Sequence, residues 1–137
     1  MTAHSPATTS RARTSLLALA GDAVLVLAFA ATGRGFHGEE SPILGALLTA
    51  WPFLVGLAVA WAVPFVHRRA LSLWPAGVAA WLGTYLIGMI LRGATGAGLA
   101  IPFLIVAFTV LGVALVGWRA VAWLVRRSAR RGQGRSL

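Results

Sequence analysis

The sequence predicts an all-α membrane protein built as a bundle of four transmembrane helices. Residues 43–66 form a stretch of 24 residues without a single charged side chain, and about 20 apolar residues are enough for a helix to cross the hydrocarbon core of a bilayer. Two more uncharged stretches follow at residues 73–91 and 99–118. Hydrophobic residues make up 58% of the 137 residues, against roughly 45–50% in soluble domains.

The first helix and the two tails complete the expected domain plan. Residues 16–32 are apolar except for Asp22, follow two arginines and contain an Ala-x-Ala sequence, as a signal peptide does. The charged side chain and the length of the stretch favour a retained helix. Residues 1–15 and 126–137 are polar or basic, and we expect both tails to be disordered. The expected helices are residues 16–33, 43–66, 73–92 and 99–125.

The positions of the arginines predict that both termini lie in the cytoplasm. Ten of the 12 arginines fall in the N-terminal tail, in the turn between helices 2 and 3, or towards the C-terminus, which share one side in a four-helix arrangement. Only Arg34 and Arg92 fall on the other side. Arginine-rich segments remain in the cytoplasm during insertion, so we expect a multi-pass protein of the bacterial cell membrane with both termini inside.

Composition narrows the classes of function. The chain has no cysteine, which excludes disulfides and thiolate chemistry. Its net charge of +9 would suit nucleic acid, but the arginines flank apolar stretches, which indicates charges that set topology rather than a nucleic-acid surface. No nucleotide-binding loop, zinc-protease motif or Ser-His-Asp set is recognisable, so we expect no catalytic residue, no enzyme activity and no cofactor.

Six tryptophans indicate where the helices meet the membrane surface and one another. Tryptophan is enriched at the membrane–water interface, where its amphipathic ring lies among the headgroups. Four tryptophans near the cytoplasmic ends of their helices are expected to be such anchors: Trp61, Trp74, Trp118 and Trp123. Trp51 and Trp81 lie deeper in their helices and are expected to pack between helices.

Two prolines and several small residues predict details of packing. Pro75 falls in a first helical turn, where its missing N–H costs nothing. Pro52 lies inside helix 2, where it should kink the helix and free the carbonyl of Leu48, either as ordinary irregularity or to line a cavity. Small residues recur at helical spacing on helices 2 and 3, as they do where membrane helices approach closely. They predict seams inside the bundle, and a homodimer seam stays open.

Asp22 and Arg119 are predicted to form an ion pair inside the membrane. Each lies six residues from the cytoplasmic end of its helix, or roughly 9 Å, so their depths match if helices 1 and 4 are neighbours. A charge at such depth costs about 2.5–3.5 kcal/mol on insertion scales and therefore has a partner or a function. The pair is either a latch between the two helices or a proton or cation site. A nearby arginine disfavours protonation of an aspartate, which favours the latch.

A second polar group is expected at the opposite, outer face. It contains Arg34, His37, Glu39, Glu40 and Arg92. The histidine and the two glutamates could ligate a metal, but three ligands in one loop without a second cluster are a weak signal, so we predict no metal site. The two arginines either bind an anionic ligand or lipid headgroup or pair with the glutamates, and we favour the local pairing.

Four short motifs carry a family resemblance. Residues 22–39 read D-x-x-L…FA-x-x-GR-x-x-HGE, residues 49–53 read TAWPF, residues 73–77 read LWPAG and residues 117–119 read GWR. Together they resemble the actinobacterial DUF3054 family of small membrane proteins, over about residues 16–123. The family has no established function, so the resemblance implies a membrane location and a four-helix plan but no activity. It marks the following positions for testing: Asp22, Arg34, His37, Trp51, Pro52, Trp74, Pro75, Arg92 and Arg119.

Two classes of function stay open. The first is a non-catalytic membrane component that binds a lipid, an envelope precursor or a partner, with basic cytoplasmic segments attracting anionic headgroups by about 1 kcal/mol per arginine. The second is a small ion- or proton-coupled transporter that uses Asp22, similar in outline to small multidrug-resistance transporters. Those transporters often have balanced charge, whereas this chain has a strong arginine bias. We therefore favour the first class, with the bilayer as partner and a homodimer or membrane-protein partner left open.

Overall fold

The fold is a bundle of helices, and the predicted four-helix membrane architecture is confirmed. A computed structural model describes residues 6–33 and 41–134, with no strand among them. Its helices are α1 (Pro6–Gly33), α2 (Pro42–Ala62), α3 (Pro64–Arg68), α4 (Val78–Ala94), which a π-helical turn (Leu73–Gly77) precedes, and α5 (Ile101–Gln133). Four segments are long and apolar enough to cross a membrane: Thr8–Gly33, Pro42–Ala62, Leu73–Ala94 and Ile101–Gln133.

Both ends of the chain are more helical than the sequence predicts. α1 begins at Pro6, so residues 6–15 extend the first helix, where we expected a disordered tail. α5 continues to Gln133, so residues 126–133 are helical as well. Residues 126–133 include four arginines, which are good helix formers, whereas half of residues 6–15 are serine or threonine. Adding a turn to an existing helix is far easier than starting a new one, which explains both extensions. The remaining parts of the two tails, residues 1–5 and 135–137, lie outside the described residues.

Prolines set the boundaries around the turn between the second and third spans. Val63, which precedes Pro64, is extended (φ −71°, ψ 127°), so α2 ends at Ala62 rather than at residue 66. Trp74, which precedes Pro75, is extended too (φ −122°, ψ 133°). A proline ring clashes with a helical conformation of the residue before it, which explains both breaks. Pro52, in contrast, lies within α2 and the helix continues through it.

Helices α2 and α4 form the most extensive contact of the bundle, and it depends on glycine. A Cβ atom added to Gly56 would lie 2.9 Å from the carbonyl oxygen of Thr84 and 3.0 Å from that of Gly83, so the two backbones touch here. Membrane helices gain no hydrophobic energy by leaving lipid, and small residues instead allow close van der Waals packing. The predicted seam of small residues therefore lies between these two helices.

An aromatic cluster joins three of the spans. The rings of Phe29, Phe53 and Phe103 have centroids 5.5 to 6.3 Å apart, within the range of favourable aromatic contacts. Phe53 is fully buried and Phe29 nearly so. This cluster fixes α1, α2 and α5 against one another.

The alternating direction of the helices gives the bundle one strongly basic end. The start of α1 meets the turn after α3, where Ser15 Oγ donates to the carbonyl oxygen of His67 at 2.7 Å, and α5 ends nearby. We call residues 8–15, 64–72 and 119–134 the basic end. It holds nine of the ten arginines in the described part of the chain. The far end, residues 30–33, 41–45 and 92–103, holds the tenth, Arg92.

Candidate functional site

A buried ion pair lies inside the bundle between α1 and α5. Asp22 and Arg119 are both fully buried. Arg119 Nη2 lies 2.8 Å from Asp22 Oδ2, and Nη1 lies 3.0 Å from Oδ1. The guanidinium thus holds the carboxylate through two parallel bonds, the geometry in which an arginine pairs most strongly. The pair that the matching depths predict is present, and it joins the first span to the last.

Two tryptophans complete the hydrogen bonding of the carboxylate. Trp61 Nε1 donates to Asp22 Oδ2 at 3.0 Å, and Trp118 Nε1 donates to Oδ1 at 2.8 Å. Each carboxylate oxygen therefore accepts one bond from the guanidinium and one from an indole. The prediction that Trp61 and Trp118 are interfacial anchors is wrong, because their N–H groups point inwards to a buried acceptor that the sequence alone does not reveal. Trp61 is only 6% exposed.

Arg119 also fastens the turn that joins the second and third spans. Its Nε donates to the carbonyl oxygen of Ala70 at 2.8 Å, and Nη1 donates to that of Leu115 at 2.7 Å. The stem of the side chain passes Gly77, where an added Cβ would lie 2.9 Å from Arg119 Cδ. Arg119 therefore contacts α1, the turn and the π-helical segment from one position on α5.

We call the cluster of Asp22, Arg119, Trp61 and Trp118 the latch, because its hydrogen bonds join α1, α2 and α5. Buried charges need both a counter-charge and hydrogen bonds to offset the loss of hydration, and Asp22 has a guanidinium and two indole donors. Two N–H groups of the guanidinium and two indole N–H groups thus surround the carboxylate, so that each of its oxygens accepts two hydrogen bonds.

A basic cleft opens at the surface directly above the latch. It has a volume of about 980 Å³ and lies between the start of α1, α3 with the turn after it, and the last part of α5. Four arginines and one histidine line it: Arg11, His67, Arg68, Arg69 and Arg126. Trp123 forms part of one wall. We use the name basic cleft for this site.

The basic cleft has no counter-charge from the described residues. The chain has three acidic side chains; Asp22 is paired with Arg119, and Glu39 and Glu40 lie outside the described residues, in the connection that leaves the opposite end of α1. Four guanidinium groups thus line the cleft, and none of the described residues supplies a carboxylate to pair with them. A group of cations of this kind attracts an anion from solution or from the membrane surface.

The latch supports the floor of the basic cleft. Ala70, whose carbonyl accepts from Arg119, lines the cleft. His67 lines it too, and its Nδ1 lies 3.1 Å from the carbonyl oxygen of Trp61; since a carbonyl only accepts, Nδ1 is the donor. Trp61 in turn donates to Asp22. The buried cluster and the cleft therefore form one connected structure, with the latch below and the exposed arginines above.

At the far end, Arg92 binds the backbone of the connection between α4 and α5. Arg92 Nε donates to the carbonyl oxygen of Gly98 at 3.0 Å and Nη2 to that of Ala97 at 3.2 Å. Its guanidinium also stacks over the ring of Phe103, 4.2 Å from the centroid. Arg92 thus closes the connection between α4 and α5. The residues predicted to join it, Arg34, His37, Glu39 and Glu40, lie outside the described residues.

The remaining packing residues divide between the core and the lipid-facing surface. Trp81 packs against α5, where its Nε1 donates to the carbonyl oxygen of Phe108 at 3.0 Å. Pro52 is buried and Pro75 half-buried. Trp74 is 76% exposed and Trp51 is 39% exposed. The neighbours of Trp51 on α2, Pro52 and Phe53, are buried, and the packing of Trp51 between helices stays a prediction.

A comparison with protein families gives a match over most of the bundle. The model of the family described as "Protein of unknown function (DUF3054)" matches residues 19–122. The chain belongs to the DUF3054 family. The resemblance that the motifs suggest is thus confirmed. The matched part of this DUF3054 protein includes the whole latch and residues 67–72 of the basic cleft, while Arg11, Trp123 and Arg126 lie outside it. No curated protein and no solved structure matches the chain.

Sequence reasoning on this DUF3054 protein missed the tryptophan donors and the basic cleft. Trp118 could have been recognised as a donor to Asp22, because it is the sequence neighbour of Arg119, the predicted partner of Asp22. Trp61 lies 39 residues from Asp22 in sequence, and only the fold brings them together. The arginines of the cleft were assigned to two tails and a turn, and their convergence depends on the helical extensions at both ends.

Proposed function

We propose that this DUF3054 protein is a non-catalytic component of the bacterial cell membrane that binds anionic lipid headgroups at its basic end. The observation that carries the proposal is the basic cleft, whose four arginines have no carboxylate partner among the described residues. Guanidinium groups form bidentate hydrogen bonds with phosphate. The cytoplasmic surface of a membrane is anionic and attracts juxtamembrane arginines, and the bias of arginines towards the basic end supports a cytoplasmic position for it.

The latch supports this function over a transport function that uses Asp22. A carrier carboxylate has to exchange its proton or ion with solvent from both sides of the membrane. Asp22 is fully buried and accepts bonds from Arg119, Trp61 and Trp118. Breaking this ion pair would leave an unpaired charge inside the apolar bundle, which costs several kcal/mol of free energy. We therefore assign Asp22 to structure.

Lipid preference tests the proposal directly. The purified protein in detergent would be titrated with phosphatidylglycerol or with zwitterionic phosphatidylcholine and the bound lipid counted by native mass spectrometry. We expect preferential retention of phosphatidylglycerol, which weakens as ionic strength rises because salt screens exposed charges over about 10 Å at 0.1 M. Equal retention of the two lipids would refute the proposal. Proton uptake by proteoliposomes that Asp22→Asn abolishes without unfolding would favour the transporter instead.

The orientation has a separate test that uses the absence of cysteine from the sequence. Ser41 and Ser128 are exposed at the far end and the basic end, respectively. In spheroplasts, a membrane-impermeant maleimide should label Ser41→Cys at once and Ser128→Cys only after permeabilisation. The reverse pattern would place the basic end outside the cell.

A further inference from the structure

The arginines of the basic cleft converge on one volume instead of lying along one helix. Its arginines come from three separate parts of the fold: Arg11 from α1, Arg68 and Arg69 from the end of α3, and Arg126 from α5. A single amphipathic helix would present such residues along one line. Here the fold gathers them around a common volume of about 980 Å³, which is as large as a typical small-molecule pocket.

The hydrogen-bonding groups around the cleft indicate an anion. The hydroxyls of Ser15 and Ser72 donate to the carbonyl oxygens of His67 and Arg69, at 2.7 and 2.8 Å. Their hydrogen atoms are thus engaged with the backbone, and the strongest donors left for a ligand are the guanidinium groups. Arginine offers a planar fork of donors that matches the oxygens of a phosphate.

The amount of charge favours a phosphate that carries more than one negative charge. The four arginines contribute four positive charges, with no carboxylate among the described residues of the cleft. A phosphodiester such as phosphatidylglycerol carries a single negative charge, whereas a phosphomonoester carries about 1.5 to 2 at pH 7. A diphosphate carries more again. A phosphomonoester or diphosphate therefore neutralises the cleft better than a diester does.

The walls of the cleft favour a ligand attached to the membrane. Trp123 stands at its side, half exposed, and the guanidinium of Arg127 stacks over its ring at 5.1 Å. Tryptophan in this position is typical of the membrane–water interface, where a headgroup reaches the cleft while its chain remains in the bilayer. The floor is held from below through Ala70 and Arg119, and a preorganised site loses less free energy on binding.

We infer that the basic cleft binds the phosphomonoester or diphosphate group of a lipid. This inference rests on the proposed function and narrows it to one site and one class of headgroup. The lipid would be bound by Arg11, Arg68, Arg69 and Arg126, with its chain beside Trp123. Inorganic pyrophosphate shares the chemistry of the headgroup but lacks the chain.

The test compares three lipids on the full-length protein and on two variants of equal charge. Native mass spectrometry would give the affinities for phosphatidic acid, a phosphomonoester, and for phosphatidylglycerol and phosphatidylcholine. One variant is Arg68→Gln/Arg69→Gln in the cleft; the control is Arg130→Gln/Arg131→Gln, on the part of α5 beyond the cleft. All four residues are exposed, and circular dichroism would verify that both variants keep their helices. Arg11→Gln, on α1, provides a second variant from another wall.

We expect the wild type to bind phosphatidic acid at least about tenfold more tightly than phosphatidylglycerol, the effect of a single charge-assisted hydrogen bond. The cleft variants should lose this preference and the control should keep it. Equal affinity for the two anionic lipids, or equal loss in cleft and control variants, would overturn the site while leaving the general preference for anionic lipid intact. Loss of any preference over phosphatidylcholine would overturn both. Displacement of phosphatidic acid by equimolar inorganic pyrophosphate would show a soluble ligand and refute the lipid.

Discussion

Replacing Asp22 by asparagine should destabilise the bundle by an amount that the geometry of the latch predicts. The amide keeps one oxygen, which still accepts from one guanidinium N–H and one indole N–H. Its NH₂ group faces the other two donors, where no hydrogen bond can form. Arg119 stays fully buried and loses its counter-charge, while its bonds to Ala70 and Leu115 remain.

The expected loss of stability comes more from the uncompensated charge of Arg119 than from the lost hydrogen bonds. Hydrogen bonds in membrane proteins average about 0.6 kcal/mol, so two lost bonds account for only about 1.2 kcal/mol. Removing one partner of a buried ion pair costs about 3–5 kcal/mol, because the other charge is left uncompensated. We expect about 3 kcal/mol for Asp22→Asn and a similar loss for Arg119→Gln. The double variant carries no buried charge, so its loss should fall short of the sum by about 2 kcal/mol.

Unfolding in mixed detergent and dodecyl sulfate micelles, followed by tryptophan fluorescence, would measure all four proteins of the cycle. A matched cycle of Asp22→Asn with Arg92→Gln provides the control, since Arg92 lies at the far end and bonds to the carbonyl oxygens of Ala97 and Gly98. These two changes should add within about 0.3–0.5 kcal/mol. A coupling between Asp22 and Arg119 at or below about 0.6 kcal/mol would refute the latch and restore Asp22 as a candidate transport residue.

Three further predictions concern single positions and can be checked by the same unfolding assay. Trp61→Phe keeps most of the ring but removes a donor to a buried carboxylate, so it should lower the free energy of unfolding by about 1.5–3 kcal/mol. Trp123→Phe should change that free energy little. Equal effects of the two substitutions would contradict the inward role of Trp61. Gly56→Ala should destabilise the bundle, because the new Cβ would lie 2.9 Å from the backbone of α4. At Gly21 an added Cβ meets nothing within 4 Å, so Gly21→Ala should stabilise the bundle by up to about 1 kcal/mol. A stabilising effect of Gly56→Ala would disprove the close approach. The buried hydroxyl of Thr84 has no partner among the described residues, so Thr84→Val should raise stability by about 1 kcal/mol, and a loss would reveal a bond to that hydroxyl.

The sequence predicted the features that depend on one helix alone or on the depth of a residue in the membrane. An uncharged stretch has to form a helix in lipid because its backbone has no other hydrogen-bond partner there. The pairing of Asp22 with Arg119 was predicted for two reasons. An unpaired charge inside the membrane is costly, and the two residues lie at equal depth. Both inferences need only the distance of a residue from the end of its own segment.

The parts that were missed depend on which faces of different helices meet. Trp61 has the sequence position of an interfacial anchor, and only the packing of α2 beside α1 turns its indole towards Asp22. The basic cleft was missed because it requires α1 and α5 to continue beyond the apolar stretches. An existing helix propagates easily into polar sequence, and hydropathy does not measure this.

The wide separation of the latch residues in sequence has a consequence for biosynthesis. Asp22 belongs to the first span and Arg119 lies 97 residues later, in the last. A chain is made from its N-terminus, so the first span enters the membrane with an uncompensated acid, at a cost of about 2.5–3.5 kcal/mol on insertion scales. Trp61 of the second span supplies one hydrogen bond to this acid, but its counter-charge arrives only with the final span. A nascent chain that stops before residue 119 therefore retains an exposed polar defect in its first helix, which distinguishes an unfinished molecule from a complete one.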